Sequence, residues 1–455
     1  MHGLENLQAK FSSIKMIVMK FGGTSVGNAE RIRKTAEIIK SQTGKKPVVV
    51  VSAITKITDA MIRLANESVK GKGNDVFDRI KNVHLDIINK LNLEESLLDE
   101  NFKELSDLVK KAKSLKSPDP KILDHFQSFG ERMSSKIVTA QLNQIGVDSK
   151  TFNSWDLGFL TNSDFGNAEP LEITYKNLKK NLQKLNFVPV ITGFIGKTEN
   201  GEITTLGRGG SDYSAAIIGS AIDAEEIQIW TDVNGIMSTD PKIVSNAQPI
   251  AQVSFAEASE LAYFGAKVLH PKTILPAIKK NIPVRVLNSF NTQDRGTTIV
   301  NKSEKSRRII KAIACKSNTT LVKIESTRML GAYGFLAKIF DIFNKHKKSI
   351  DVVSTSEVSV SLTIDNGGSL DGILNEMREI ADVEVFRNKA IICVVGEGMK
   401  HTTGIAGRTF TALGRNNINI EMISQGASEI NITFIVDGND AEKAVMALHE
   451  EYFGE

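Results

Sequence analysis

Apolar positions in the first part of the chain come in blocks. Residues 16–19 (MIVM), 47–52 (PVVVVS), 187–192 (FVPVIT) and 226–230 (EIQIW) are short runs that are almost wholly apolar. Such runs predict strands buried on both faces, as a parallel sheet requires. Between them the period becomes helical. Residues 30–41 put Ile32, Ala36 and Ile39 on one stripe, and residues 122–145 do the same with Ile122, Phe126, Phe129, Met133, Ile137 and Leu142. Residues 211–222 are small and apolar, which suits a helix packed closely on a sheet. Alternation of this kind over 16–300 predicts an α/β fold, a mainly parallel sheet sandwiched by helices. Residues 53–117 are polar, helical in period and poor in glycine, and are expected to form a helical excursion on the surface.

Past a polar, basic stretch at 302–308 the order of elements changes. A strand at 320–325, a helix at 332–346, two strands within 349–365, a helix near 370–380 and a strand at 383–386 make a ferredoxin-like βαββαβ unit. The same order restarts with strand 390–395, helix 407–415, strands 418–425 and 430–436, and helix 441–449, and then lacks its last strand. The apolar segment 309–314 (IIKAIA) has no partner in this count, so it is expected to close the second unit, one module being inserted in the other.

The chain has 455 residues, enough for two or three domains, and is 41% hydrophobic and 24% charged, as a folded protein with a substantial core should be. A net charge of +4 is too small to argue for nucleic acid. There is no long apolar run and no signal-peptide pattern, which leaves no membrane partner and a cytoplasmic location as the expectation. Cys315 and Cys393 sit in apolar runs and read as buried thiols in a reducing compartment. With seven scattered histidines they form no metal-spaced set, and no protein metal site is expected.

Several stretches carry candidate chemistry. Lys20-Phe21-Gly22-Gly23-Thr24-Ser25 joins a strand to a helix, placing bare N–H groups and a lysine where an anion can be cradled; without the Walker spacing it also reads as a plain tight turn. Residues 204–212 (TTLGRGGSD) set Arg208 among three glycines ahead of a small-residue helix. That turn can grip a carboxylate or phosphate through Arg208, or be a surface turn in which Asp212 caps the helix. Gly130 interrupts the long helix before Glu131-Arg132, permitting a close approach; Glu131 can face an ammonium or form a solvated pair. Thr231-Asp232-Val233-Asn234-Gly235 leaves a strand at its carboxyl end, where open α/β sheets bind ligands. His270-Pro271 falls near the end of a helix and reads as structural. The run 391–400 imitates a dinucleotide loop, but His401 stands where its third glycine belongs.

Taken together, these motifs resemble the aspartate kinases of the amino-acid kinase superfamily, which end in ACT-type regulatory modules. The resemblance covers nearly the whole chain through KFGGTSV (20–26), VVSA (50–53), SFGER (128–132), TLGRGGSD (205–212), WTDVNGI (230–236) and FGAKVLHP (264–271). It implies an amino-acid kinase domain at 14–302, a first ACT module at 319–387, and a second at 308–318 plus 388–455. The reaction it implies is ATP-dependent phosphorylation of L-aspartate to 4-phospho-L-aspartate with Mg²⁺, opening the route to lysine, methionine, threonine and isoleucine. The alternatives are a glutamate-type kinase of the superfamily and a non-catalytic amino-acid sensor.

Carried over residue by residue, the resemblance makes Lys20 and Asp212 catalytic. Lys20, Gly22, Gly23, Ser25, Thr231, Asp232, Met237, Lys242 and Lys267 then serve ATP; Met237 and Lys242 depart from the tyrosine and arginine of a bacterial relative. Thr58, Glu131, Arg208 and Ser211 take aspartate, with Glu131 on its α-ammonium and Arg208 on its α-carboxylate. It also implies an effector pocket for L-lysine, with threonine or a purely dimerising module as the alternatives, formed by Met329, Gly334, Phe335, Leu336, Ser349, Ile350, Asp351, Thr355, Ser356 and Glu357, with Ala332 replacing a serine. A homodimer or larger assembly through the ACT modules is expected.

Overall fold

The computed structural model describes residues 16–115, 117–265, 269–302, 308–329, 333–365 and 369–454. Lys267, most of the expected basic hinge and residues 330–332 of the expected effector turn lie outside the described residues. The chain divides into two compact units, Met1–Ile236 with Val268–Lys302, and Met237–Lys267 with Ser303–Glu455.

Seven strands of the first unit are ordered Ser149–Phe152, Val188–Thr192, Pro47–Val51, Ile17–Phe21, Ile227–Thr231, Val284–Asn288 and Thr297–Val300. All neighbours are parallel except the last pair, which is antiparallel. Every residue of Ile17–Phe21, Pro47–Val51 and Val188–Thr192 is buried, so both faces are covered and the unbroken apolar runs are explained. Register aligns the strand ends. Phe21 lies opposite both Val51 and Trp230, and Val51 lies opposite Thr192. The loops leaving these strands are therefore gathered along one carboxyl edge.

Two helices shape that edge. Pro120–Gln144 starts at Asp119, whose side chain accepts from Ile122 N, with proline at the first helical position where no N–H is needed. Its Gly130 is packed so closely that a Cβ there would lie 2.7 Å from the Ala53 Cβ, the close approach that the interrupted stripe called for. The segment expected to be a surface excursion is instead part of the core. Helices Ile57–Ser68, Asn74–Leu91 and Asp99–Ala112 are amphipathic, and Met61, Leu64, Ile80, Ile88 and Leu105 enter the same apolar cluster as the sheet. Their polar faces dominated the composition while one stripe did the packing. His270 is also corrected: it begins Pro271–Lys280 as its N-cap.

In the second unit the strand order is Val353–Thr355, Ser359–Asp365, Ala312–Glu325, Asp382–Val395, Asn431–Asp437 and Met422–Ser424. Four segments read as separate strands in the sequence join into two long ones. Ala312–Glu325 and Asp382–Val395 pair antiparallel along their lengths, with register shifts between Lys316 and Leu321. Asn318 (φ 59°) and Asn388 (φ 55°) take left-handed backbone there, a conformation asparagine tolerates. Each long strand gives one half to each βαββαβ unit. Ala312–Lys316 pairs with residues 391–395, which pair in turn with Asn431–Ile435. Helices Phe335–Lys345 and Asp371–Arg378 cover one half, and Ile405–Arg415 and Ala441–Phe453 the other, over separate apolar clusters.

Candidate active site

The carboxyl edge of the first unit opens into a cleft of about 650 Å³, in the range of small-molecule sites. Lys20, Gly23, Thr58, Glu131, Arg208, Ser211 and Asp212 all line it, although they come from four separate stretches of chain. Lys20 is the next-to-last residue of Ile17–Phe21 and is 8% exposed. Its Nζ lies 2.5 Å from Asp212 Oδ1. Asp212 stands in the first turn of Gly210–Ala221, so it meets the positive end of that helix and the ammonium together. A second helix, Ile57–Ser68, starts at the cleft with Thr58 in its first turn. First-turn amides have no partner inside their own helix, so two N-termini offer donors to an anion.

The glycine turn before Gly210 is held in left-handed backbone at Gly207 (φ 76°) and Gly209 (φ 70°), with Arg208 between them. Arg208 is exposed and makes no hydrogen bond or ion pair with any described residue. Glu131 is the opposite case. It is 3% exposed, its Oε1 accepts from Ala53 N at 3.1 Å, and its Oε2 is buried without a hydrogen bond. Burial raises its carboxyl from 4.5 to about 8, against the Ala53 amide and the Lys20 charge, which both lower it. An ammonium brought to Oε2 would complete the site.

Other candidates are placed differently. Gly22 donates its N–H to Trp230 O, and Ser25 turns its hydroxyl inward to Trp230 O and to Ser289 Oγ at 2.8 Å. Thr231 and Asp232 lie at the end of Ile227–Thr231, joined by a 3.2 Å hydrogen bond from Thr231 Oγ1 to Asp232 Oδ1. Met237 and Lys242 belong to the second unit, where Lys242 is exposed. The sequence reading missed Asp124, two turns before Glu131 on the same helix face and 1% exposed. Its signal was an acid on the inward face of an otherwise apolar stripe.

In the second unit, Gly334 (φ 79°) caps Phe335–Lys345, with Phe335 half-buried and Leu336 exposed. Met329 ends a short 3₁₀ turn; Ser349, Thr355, Ser356 and Glu357 are exposed, and Ile350 is partly buried. Asp351 is already engaged: Lys316 Nζ lies 2.9 Å from Oδ2, and the Tyr263 hydroxyl donates to Oδ1 at 3.2 Å. Among the described residues no cluster of three or more His, Cys, Asp or Glu is arranged to hold a metal, and no helix is long and apolar enough to cross a membrane.

Residues 15–288 match the amino acid kinase family, and residues 392–452 match an ACT domain. Among curated relatives, the chain is 42% identical to aspartokinase 3, chloroplastic, of Arabidopsis thaliana, covering 96% of this chain and 81% of that protein. Among solved structures it resembles E. coli aspartokinase III in complex with aspartate and ADP (R-state), with a TM-score of 0.82 and 36% identity over 96% of this chain and all of that one. The same E. coli protein in complex with lysine and aspartate (T-state) gives a TM-score of 0.81 at 37% identity, over 96% of this chain and 99% of that one. Likeness this long, spanning the sheet with the cleft and the ferredoxin-like halves together, places the chain in the aspartokinase family of amino acid kinases with a C-terminal ACT region.

Proposed function

We propose that this protein transfers the γ-phosphoryl group of ATP to the β-carboxylate of L-aspartate, in the cleft at the carboxyl edge of the first sheet. The observation that carries the reading is the pairing, in one cleft, of Arg208 without a described partner and a buried Glu131 oxygen without a hydrogen bond. An α-amino acid brings a carboxylate for the first and an ammonium for the second. Its side-chain carboxylate is ionised at neutral pH (about 3.9) and needs no general base to attack phosphorus. Lys20 follows the charge on the migrating phosphoryl, held in place by Asp212, and Ser211 and Thr58 offer first-turn amides to anionic oxygens. Gly22, Gly23, Ser25, Thr231 and Asp232 form the ATP side of this proposal, with Met237, Lys242 and Lys267 carried over from the family resemblance. Mg²⁺ supplies charge neutralisation on the phosphates when bound. The cleft carboxylates are Asp59, Glu131 and Asp212, and with Glu131 assigned to the substrate ammonium the set fits an ion carried mainly by phosphate and water.

A coupled ADP-release assay with L-aspartate, L-glutamate and N-acetyl-L-glutamate tests the substrate. Turnover is expected on aspartate, and turnover on glutamate alone would sink the reading. We place the domains at 14–302, 319–387, and 308–318 plus 388–455, the middle one taking L-lysine as a feedback inhibitor beside Asp351. Because such an effector acts by shifting populations, inhibition should be sigmoidal and not competitive with ATP. Undiminished lysine inhibition in Asp351→Ala would refute that site. A homodimer through the ACT halves should appear in light scattering as about twice the 49.8 kDa chain. A cytosolic location accords with two free thiols, Cys393 being pushed by burial up to about 12.

A further inference from the structure

We propose that Asp124 is a positioning residue for the substrate-carboxylate site, fixing the turn that presents Arg208 by holding Thr205 and Gly166. The proposal rests on the aspartate-kinase reading. Asp124 is 1% exposed, and its oxygens are saturated from outside its own helix. Oδ2 accepts from Gly166 N at 2.9 Å and from Thr205 N at 2.8 Å, and Oδ1 accepts from Thr205 Oγ1 at 2.8 Å. Gly166 and Thr205 both line the cleft. An acid this deep is tolerated only when its oxygens are satisfied, and all of that satisfaction is spent on two cleft-lining segments.

What Asp124 holds is the start of the arginine turn. Thr205 ends the strand Ile203–Thr205; Leu206, Gly207, Arg208 and Gly209 follow, and the helix begins at Gly210. The two glycines flanking Arg208 are the residues least able to define a backbone by themselves. Arg208 has no described partner of its own to orient it. Its place is therefore decided by the two ends of the turn. The helix fixes one end, and at the other Asp124 acts with the Ala168 N to Thr205 O and Leu206 N to Phe194 O hydrogen bonds. Asp124 and Glu131 thus divide the labour on one helix face. Glu131 meets the ammonium directly, and Asp124 reaches the carboxylate end of the substrate through Thr205 and Arg208.

The chemistry of the three bonds selects the variants. In Asp124→Asn the amide oxygen can still accept both N–H groups, while the NH₂ donates to Thr205 Oγ1, so the anchor survives without its charge. In Asp124→Ala three donors lose their acceptor, the two from Thr205 being buried. The experiment is steady-state kinetics with aspartate and ATP varied separately, alongside thermal melting of each protein. Asp124→Ala is expected to raise the aspartate KM about tenfold or more while the ATP KM stays within about twofold. Asp124→Asn should return the aspartate KM to within about threefold of the parent. Thr205→Val, which keeps the shape and removes one donor, should raise it by about threefold even if Asp124→Ala does not fold. The proposal is overturned if the aspartate and ATP KM values rise together. It is likewise overturned if Thr205→Val and a folded Asp124→Ala leave the aspartate KM unmoved, or if the asparagine variant is no better than alanine. A parent protein with no aspartate turnover would overturn the functional reading and this proposal with it; an active parent with an unmoved KM in the variants would overturn this proposal alone.

Discussion

Each unit of the molecule holds lysines against carboxylates, and the two do so in different ways. In the cleft, one ammonium meets one carboxylate, Lys20 Nζ to Asp212 Oδ1 at 2.5 Å, beside a glutamate oxygen and an arginine without described partners. In the second unit two lysines, Lys316 partly buried and Lys389 buried, are each met twice. Lys316 contacts Asp351 at 2.9 Å and Asp365 at 2.8 Å, and Lys389 contacts Glu421 at 2.7 Å and Asp437 at 2.9 Å. These are one device repeated. Asp351 N donates to Thr363 O as Glu421 N donates to Ile435 O, and Asp365 and Asp437 close equivalent strands. Burial lowers both lysines, but the hydrogen bonds they donate to their paired carboxylates outweigh it and hold them above the usual lysine range. Saturated charges clamp strands; charges left unsaturated in a cleft await a ligand. By this criterion Asp351 is already occupied, and a cationic effector there has to displace Lys316.

The largest effect that would test this contrast is at Lys20. Lys20→Ala should lower kcat by about 10²–10³-fold with a much smaller change in aspartate KM, because its interaction grows as charge develops on the phosphoryl group. Equal losses at the KM level would make it a ground-state clamp like Lys316. Next, Arg208→Ala should raise the aspartate KM about tenfold or more, the scale of a lost charged hydrogen-bonding pair. A KM within twofold of the parent would break the assignment.

Glu131 provides a pH test of intermediate size. Its carboxyl is raised to about 8 in the folded protein, so at pH 7 the empty site is mostly protonated. Binding an ammonium favours the ionised form, so aspartate binding should release a proton. Affinity should weaken by about tenfold for each unit below pH 8 if only the ionised form binds. Glu131→Gln should abolish both the proton release, seen by calorimetry in buffers of different ionisation enthalpy, and the slope. The stability sign is opposite to that of an ordinary ion-paired acid. The native state keeps this proton up to about 8 and the unfolded chain only to 4.5, so this contribution is full below 4.5 and is lost as pH rises through 8. Glu131→Gln should therefore gain on the parent in melting temperature as pH rises from 4.5 to about 8.

The smallest effect belongs to the paired clamps. Lys316→Met should lower the half-inhibitory L-lysine concentration by about threefold, since it removes a resident cation from Asp351. Lys389→Met, at the repeated position, should leave that concentration unchanged. Equal shifts in both would show that the clamps only stiffen their strands.

Much of this was legible in the linear chain because it is local. Unbroken apolar runs identify strands buried on both faces, and glycines beside Lys20 and Arg208 mark places where backbone must turn sharply and leave N–H groups bare. A glycine inside an apolar stripe announced the contact between Gly130 and Ala53. The polar look of residues 53–117 misled, since composition averages over a helix whereas packing uses one stripe of it. Long strands were split in the reading at Cys315-Lys316-Ser317-Asn318 and Arg387-Asn388-Lys389, where polar side chains interrupt the pattern but the ladder continues through left-handed asparagines.

Local pattern was enough for most strands and helices, for the turns that can cradle an anion, and for the family to which the chain belongs. Which of those groups meet was settled in three dimensions. Strand register gathers turns from distant parts of the chain at one edge, and leaves Glu131 Oε2 and Arg208 in the same cleft. Folding also satisfied Asp351 with Lys316 and joined Asp124 to Thr205 across 81 residues. The reason is physical: hydrogen-bond satisfaction and desolvation belong to a group's surroundings in space, and those surroundings are assembled from parts of the chain that no local pattern connects.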